Sequence, residues 1–241
     1  MSAGAAPITE GSARRSRLAG VDVRNYGIVL SFLVLFVGLS LASDKFLTQR
    51  NLLNILDQSA PVGIVACGVT LGIIAGVFDL SVGAIYAVAA VVACKVALAT
   101  TPTIGIVVGM LSGGVLGLAN AVLVNNIRIN SFIATLASSI VFRGVAILVT
   151  GGMIVTVTDE AFSTLGTETF LDAKWSVWIY VAVVAITWFL LAKTSLGRYI
   201  YAVGGNVEAA RLSGIRVEMI RGAMFVISGL RAVPVSSAGV G

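Results

Sequence analysis

The sequence contains no histidine, and charged residues make up only 11% of its 241 residues. Without histidine, the chain lacks the side chain that most often serves as a metal ligand or general base. Soluble globular domains usually carry roughly 25% charged residues, whereas this chain is 58% hydrophobic and has a mean hydropathy of +1.02. Because so few polar side chains are available to face water, lipid surrounds most of this chain. We predict no catalytic residue, no metal site and no cofactor.

Cysteine is also scarce, since only Cys67 and Cys94 are present and both lie inside apolar runs. Two such thiols do not have the spacing of a disulfide framework or a zinc site. We interpret them as small residues that pack between helices. The net charge of +5 is modest, and it does not indicate a nucleic acid partner.

The apolar runs are long and continuous, which favours membrane-spanning helices. A span needs about 20 apolar residues at a rise of about 1.5 Å each. We therefore predict an all-α polytopic bundle with six clear spans and the start of a seventh near Gly222, and Thr100–Thr103 is predicted to break the chain between two of them. The six spans cover residues 26–43, 60–78, 82–98, 104–124, 131–150 and 175–192.

The first apolar run, Asn25–Ser43, has two interpretations. Arginines precede it and the small residues Ser40 and Ala42 lie near its end, which also fits a signal peptide. We favour a retained first helix because further spans follow it. Residues 1–24, which are polar, then form a cytoplasmic tail.

The distribution of charge predicts the orientation of the bundle. With a cytoplasmic N-terminus, six spans place the turn at 79–81, loop 125–130 and loop 193–221 inside. Loop 151–174 is then outside, and it carries four acidic residues against one lysine. Loop 193–221 carries four arginines and one lysine against two glutamates. This arrangement agrees with the excess of basic residues in cytoplasmic loops of membrane proteins.

Two sets of glycines recur at a spacing of four residues, which places each set on one helix face. Such spacing lets helix backbones approach closely in lipid. We favour tight helix packing, and the alternative is a pathway lined by exposed backbone. The two sets are Gly68, Gly72 and Gly76, and Gly109, Gly113 and Gly117.

Loop 193–221 contains the pattern of a short helix between two glycine-containing pairs. Asn206 is a good N-cap, and Glu208 falls in the first turn, where negative charge is favourable. The first pair predicts a flexible break, two alanines keep one face thin, and the second pair ends the helix. This shape suits docking into a groove on a soluble protein, and an ordinary amphipathic connector is the alternative. The residues concerned are Gly204, Gly205, Asn206, Glu208, Ala209, Ala210, Ser213 and Gly214.

This loop resembles the cytoplasmic loop of ABC importer permeases, in which a Glu-Ala-Ala triplet is followed by glycine after three residues. Here the triplet begins at Glu208 and the glycine is Gly214. The wider string Gly197–Ile215 is similar to the ribose/xylose/galactose branch of inner-membrane sugar permeases. The resemblance implies that this loop couples the permease to a cytoplasmic ATPase.

Three further segments are similar to the same family and occur in the same order. They are Phe46–Ile55, the Asp79–Gly83 sequence DLSVG, and Asn130–Leu136 followed by Phe142–Gly144. Ser131 stands where the family usually has proline. The resemblance marks seven residues as candidates for the pathway or for a structural signature: Asp79, Ser81, Gly83, Asn130, Phe132, Thr135 and Arg143.

Two of these candidates are charged residues within apolar stretches. A carboxylate deep in a bilayer costs at least about a few kcal/mol. We therefore favour a cytoplasmic turn for Asp79, held by Ser81 and free backbone N–H groups, over a broken helix beside a pathway. For Arg143, snorkelling toward the outer surface and pairing inside the bundle are both open.

The resemblance implies a multi-pass permease subunit of the bacterial cytoplasmic (inner) membrane that moves a monosaccharide or related small polyol by alternating access. It also implies a cytoplasmic ATP-binding subunit, an extracytoplasmic sugar-binding protein and a second permease copy in a homodimer, all in contact with membrane lipid. The chain has no G-x-x-x-x-G-K-[ST] loop, so we expect ATP hydrolysis in a separate subunit and no enzyme activity here.

Three alternatives belong to other classes. A secondary transporter driven by an ion gradient would need several intramembrane acids, and only Asp79 qualifies. A membrane-embedded enzyme is disfavoured by the lack of histidine and of a nucleophile–base pair. A membrane assembly subunit that does not itself transport is the third.

The resemblance also divides the chain. Residues 25–230 form a permease domain, and family members continue with further spans. Residues 231–241 are an atypical tail, since Arg231 and Pro234 fall where a helix should gather apolar residues. We expect a truncated or frameshifted reading frame and a chain that does not transport on its own.

Overall fold

The computed structural model describes residues 23–155 and 168–231. The tails predicted over residues 1–24 and 231–241 fall almost wholly outside this part. The described residues form nine α-helices and one two-stranded hairpin. Their bounds are α1 Val23–Ala42, α2 Gln49–Ile74, α3 Val82–Ala99, α4 Pro102–Asn125, α5 Ser131–Thr150, β1 Thr169–Phe170, β2 Ala173–Lys174, α6 Trp175–Lys193, α7 Ser195–Gly205, α8 Val207–Leu212 and α9 Val217–Leu230.

The described residues divide after Asn51 into two compact units. In the first unit, the ring of Phe36 on α1 packs edge-on against Phe46, with the ring centroids 5.4 Å apart. The second unit contains the hairpin, in which Thr169 pairs with Lys174 in antiparallel register. It also contains every residue of the sites described below.

Five helices, α2 to α6, are long and apolar enough to cross a membrane among the residues that the structure describes. The apolar part of α1, Gly27–Ala42, is shorter than these five. The prediction of an all-α polytopic membrane bundle is confirmed, and the helices predicted over 82–98, 131–150 and 175–192 match within one residue at each end. The count of six spans and the cytoplasmic N-terminus stay predictions.

The second helix differs from the predicted span 60–78. It begins at Gln49 and therefore includes Arg50, Asp57 and Pro61, which lie before or at the start of the predicted span. It ends at Ile74, because Gly76 adopts a left-handed φ of 73°. The amide of Val77 then donates to the Gly72 carbonyl oxygen at 2.9 Å, and this bond closes the helix.

The break predicted over Thr100–Thr103 is confirmed. Thr101 is the N-cap of α4, and its hydroxyl oxygen accepts from the Ile104 amide at 3.4 Å. Pro102 occupies the first helical position, where its missing N–H is not needed and its fixed φ suits the helix.

Three connecting segments meet at one end of the second unit: residues 75–81, residues 126–130 and the chain from α7 to the start of α9. The side-chain amide of Asn125 donates to the backbone carbonyl of Glu218 at 2.7 Å, and the Phe78 amide donates to the Ser131 hydroxyl oxygen at 3.2 Å. The charge pattern predicts that these three segments share one side of the membrane, and their proximity agrees with that prediction.

From this end, α9 runs back along α4. A Cβ atom on Gly113 would overlap the carbonyl oxygen of Gly229, and one on Gly117 would overlap that of Phe225. The two backbones therefore touch along the second glycine set, as the packing interpretation predicts. A hydrophobic core forms beside this contact from α2, α7 and α9, with Leu71, Ile200 and Phe225 fully buried.

Candidate coupling surface and interior polar network

The short helix predicted in loop 193–221 is α8, and Glu208 and Ala209 on it are exposed. The Asn206 side-chain oxygen accepts from the Ala209 amide at 3.0 Å, which confirms the N-cap. The helix ends before Ser213, and Gly214 has a left-handed φ of 81°. The side chain of Glu208 is 77% exposed. We call residues 204–214 the coupling segment.

Two features of the coupling segment differ from the sequence analysis. The predicted flexible break at Gly204 and Gly205 is wrong, because both residues belong to the last turn of α7. A Cβ atom on Gly204 would overlap the carbonyl oxygen of Ile74, so glycine is needed there for close contact between α7 and the end of α2. Ala210 is buried, which leaves Ala209 as the exposed small residue of α8.

Ion pairs connect α8 to the start of α9. The guanidinium of Arg211 lies 3.3 Å from the Glu208 carboxylate and 2.6 Å from that of Glu218. A hydrogen bond from its own backbone amide, followed by the bond from Arg211, lowers the pKa of Glu218. The carboxylate of Glu218 therefore stays ionised, and the exposed helix is tied to the helix that packs along α4.

Asp79 lies in the non-helical segment 75–81, between α2 and α3. One carboxylate oxygen accepts from the Ser81 amide at 2.9 Å and from the Ser81 hydroxyl at 2.6 Å. This geometry is an Asx turn, and it agrees with the turn interpretation, although the N-cap of α3 is Ser81 rather than Asp79. The other carboxylate oxygen, Oδ2, is buried without a hydrogen-bond partner among the described residues.

A buried amide completes this polar network. The Nδ2 atom of Asn120 on α4 donates to the Ser81 hydroxyl oxygen at 2.6 Å, and both side chains are fully buried. Asn120 was missed by the sequence analysis. Its signal was the single side-chain amide within the predicted span 104–124, because polar groups inside spans mark packing or functional contacts.

The first turn of α5 holds the same segment from the other side. The Leu80 amide donates to the buried Thr135 hydroxyl oxygen at 3.1 Å. The hydroxyl oxygen of Ser131, which replaces the usual proline of the family, accepts from the Phe78 amide. Asn130 caps α5, since its side-chain oxygen accepts from the Phe132 amide at 3.0 Å. Of the seven candidate residues, the structure therefore brings Asp79, Ser81 and Thr135 together.

The remaining candidates lie apart from this network. Gly83 is exposed, and a Cβ atom there would meet nothing within 4 Å. The ring of Phe132 is exposed. Arg143 is exposed on α5 and makes no ion pair with any described residue, so the structure favours snorkelling over pairing inside the bundle.

An ion pair at the opposite end of the second unit was also missed. The ammonium of Lys174 lies 2.7 Å from the Asp57 carboxylate, and the Ser176 hydroxyl donates to the same carboxylate. These bonds tie the hairpin and α6 to α2. The sequence placed Asp57 outside a span, because the uncharged run begins one residue later.

The fold defines a multi-pass membrane protein. The chain belongs to the family described as the permease component of the branched-chain amino acid transport system, which matches residues 51–233. It is accordingly a multi-pass protein of the bacterial cytoplasmic (inner) membrane.

Relatives in the same family are named for sugars. The chain is 41% identical over 209 residues to an L-arabinose ABC transporter permease protein of Azospirillum brasilense, covering 86% of this chain and 62% of that protein. It is 36% identical over 209 residues to a ribose import permease protein of Escherichia coli strain K12, covering 85% of this chain and 65% of that protein. A ribose import permease protein of Bacillus subtilis strain 168 is 37% identical over 220 residues, covering 90% of this chain and 68% of that protein.

The chain thus spans less than two thirds of the length of the Azospirillum brasilense and Escherichia coli relatives. No solved structure matches it.

Proposed function

We propose that this chain is the transmembrane permease subunit of an ATP-driven importer that moves a monosaccharide or a related small polyol. The exposed coupling segment is the observation that carries the proposal. A permease that hydrolyses no ATP needs a surface through which another subunit does work on it, and α8 offers Glu208 and Ala209 to solvent.

The contacts around α8 support a mechanical role. A force on α8 reaches α9 through Arg211 and Glu218, and it reaches the end of α2 through the close approach at Gly204. From α9 it passes to α4 through the backbone contact at Gly113. In this proposal, Asp79, Ser81 and Thr135 hold the turn between α2 and α3 so that the helices move together.

Three protein partners follow from the proposal. A cytoplasmic ATP-binding subunit docks on α8 and hydrolyses ATP. An extracytoplasmic sugar-binding protein delivers the substrate at the opposite end, where the hairpin lies. A second copy of the permease completes a homodimer.

The choice of a sugar over a branched-chain amino acid rests on the relatives. Those compared here are named for L-arabinose and ribose, whereas the description of the family names branched-chain amino acids. Uptake into vesicles that contain the chain with its ATP-binding subunit and binding protein tests this choice, with labelled ribose, L-arabinose and leucine compared. Sugar uptake that needs ATP supports the proposal and overturns the expectation that this chain does not transport. Uptake driven by an ion gradient alone supports a secondary transporter.

The docking role of α8 has a sharper test in Glu208→Lys. The reversed charge removes the bond to Arg211 and places a cation on the docking surface, so we expect about tenfold less ATP-binding subunit to copurify. The matched control is Glu168→Lys, an exposed glutamate beside the hairpin at the opposite end, which should leave the yield unchanged. Equal yields from both variants would remove the docking role of α8.

A further inference from the structure

A polar cavity of about 700 Å³ lies at the end of the second unit where α4 ends and α5 begins. Its walls come from the segment after α2, the α4–α5 connection, α8 and the start of α9. Three arginines line it, Arg128, Arg211 and Arg221, against one carboxylate, that of Glu218. The cavity is therefore positively charged. The proposed coupling role uses Arg211 and Glu218, and it leaves Arg128 and Arg221 without a function.

The three arginines differ in how their charge is balanced. Arg211 is bound by Glu208 and Glu218. In the part of the chain that the structure describes, no carboxylate lies within ion-pair distance of Arg128 or Arg221. The Nε atom of Arg221 is buried without a hydrogen-bond acceptor there. A buried N–H of a charged group is costly to leave unbonded, so Arg221 carries both an unbalanced charge and an unsatisfied donor.

The backbone conformation around the cavity is also typical of a ligand site. Arg128 adopts a left-handed φ of 64°, which a non-glycine residue rarely adopts and which is common at ligand sites. The Arg221 guanidinium lies against the turn at Gly76, with its Nη2 atom 3.6 Å from the position that a Cβ would take. The N-terminus of α5, at Asn130 and Ser131, forms another part of the wall and adds partial positive charge.

We propose that this cavity binds a phosphate-bearing anion, either the headgroup of an anionic phospholipid or a soluble phosphate ester. Guanidinium groups match the geometry of phosphate oxygens and bind them through paired hydrogen bonds. Basic pockets between membrane helices on the cytoplasmic side are suited to anionic headgroups. A neutral sugar would leave the charge of Arg128 and Arg221 unbalanced.

Binding would bridge three segments at this end of the unit. The anion would contact the α4–α5 connection through Arg128, α8 through Arg211 and α9 through Arg221. Occupancy should therefore stabilise this end of the bundle against unfolding. The inference needs no other subunit, so it stands or falls independently of the transport function proposed above.

The test uses the full 241-residue chain and two probes. In detergent free of lipid, inorganic phosphate is titrated against sodium chloride of equal ionic strength, and the unfolding temperature is followed. In nanodiscs, phosphatidylcholine alone is compared with phosphatidylcholine containing phosphatidylglycerol, and bound lipid is counted by native mass spectrometry. A response to phosphate identifies a soluble ester as the source, and a response to phosphatidylglycerol alone identifies a lipid headgroup.

The variants are Arg221→Gln and Arg128→Gln, with Arg198→Gln as the matched control. Arg198 is an exposed arginine of α7 that bonds to Ser195 and does not line the cavity. We expect each cavity variant to bind the responding probe about tenfold more weakly and the control to bind like the wild type. Because the Arg128 side chain is exposed, Arg128→Gln should fold even if Arg221→Gln does not. A wild type that responds to neither probe, or an Arg128→Gln variant that binds like the wild type, would overturn the proposal.

Discussion

Two sets of glycines with the same spacing have different structural roles in this bundle. On α4, Gly113 and Gly117 face the backbone of α9, and a methyl group on either would overlap a carbonyl oxygen. Gly72 lies in the last turn of α2, and Gly76 lies in the turn that follows it. Gly72 supplies the carbonyl oxygen that closes the helix, and Gly76 adopts the left-handed conformation that turns the chain away.

The difference shows that one spacing meets two separate physical demands. The α4 set needs the absence of volume, because two backbones occupy adjacent space. At Gly76 the demand is conformational freedom, because nothing lies closer than 3.6 Å to the Cβ position and only φ excludes other residues. Substitutions separate the two demands, since side-chain size should govern the first and tolerance of positive φ the second.

The largest effect is expected for Gly113→Ala. The added methyl would overlap the Gly229 carbonyl oxygen, so α4 and α9 must move apart, and overpacking of this kind costs about 1–3 kcal/mol. Denaturant unfolding in mixed micelles measures the loss of free energy of unfolding. Gly144→Ala on α5 is the control, because a Cβ atom there meets nothing within 4 Å. Equal stabilities for the two variants would show that the α4–α9 contact is not close.

A second, smaller effect is expected for Gly76→Ala. Forcing alanine into a left-handed conformation costs roughly 1–2 kcal/mol. Asparagine tolerates that conformation better, so Gly76→Asn should lose less stability than Gly76→Ala. At position 113 the order should reverse, because asparagine is larger than alanine. The same order at both positions would contradict the distinction between the two sets.

The fold contains features that could be predicted from the sequence and others that could not. Long apolar runs predict the position and length of α3, α5 and α6, because lipid requires each span to satisfy its own backbone hydrogen bonds. The break over Thr100–Thr103 and the cap at Asn206 could be predicted, because turn residues and local side chain–backbone bonds depend only on neighbouring residues. The end of α2 was not readable, because whether Gly76 continues a helix or reverses the chain depends on distant contacts.

The candidate site shows the same limit. The coupling segment was found because it is local in sequence. The bond between Ser81 and Asn120 joins residues 39 positions apart, and the cavity arginines come from three separate segments. A single sequence carries no signal for such pairings, so the bond from Asn120 to Ser81 and the pairing of Lys174 with Asp57 went unpredicted.

A third prediction concerns the hydrogen bond that links α4 to the turn between α2 and α3. Asn120 on α4 donates to Ser81, which follows the turn at Gly76. Hydrogen bonds between membrane helices average about 0.6 kcal/mol and reach about 1.7 kcal/mol. A double-mutant cycle of Asn120→Leu and Ser81→Ala, followed by denaturant unfolding, should give a coupling energy in this range. Strict additivity would mean that this bond does not hold α4 to the turn.

The smallest effect is expected for Gly83→Ala. The position of Gly83 requires neither a small side chain nor a left-handed φ. Gly83 lies in the first turn of α3, its φ is not left-handed, and a methyl group there meets nothing within 4 Å. Alanine is the better helix former, so the free energy of unfolding should change by less than about 0.5 kcal/mol. A loss of 1 kcal/mol or more would show a constraint on Gly83 outside the described contacts. Unchanged stability combined with lost sugar uptake in the vesicle assay would place the reason for this glycine in transport, because a moving backbone or a bound sugar would then need the open space beside it.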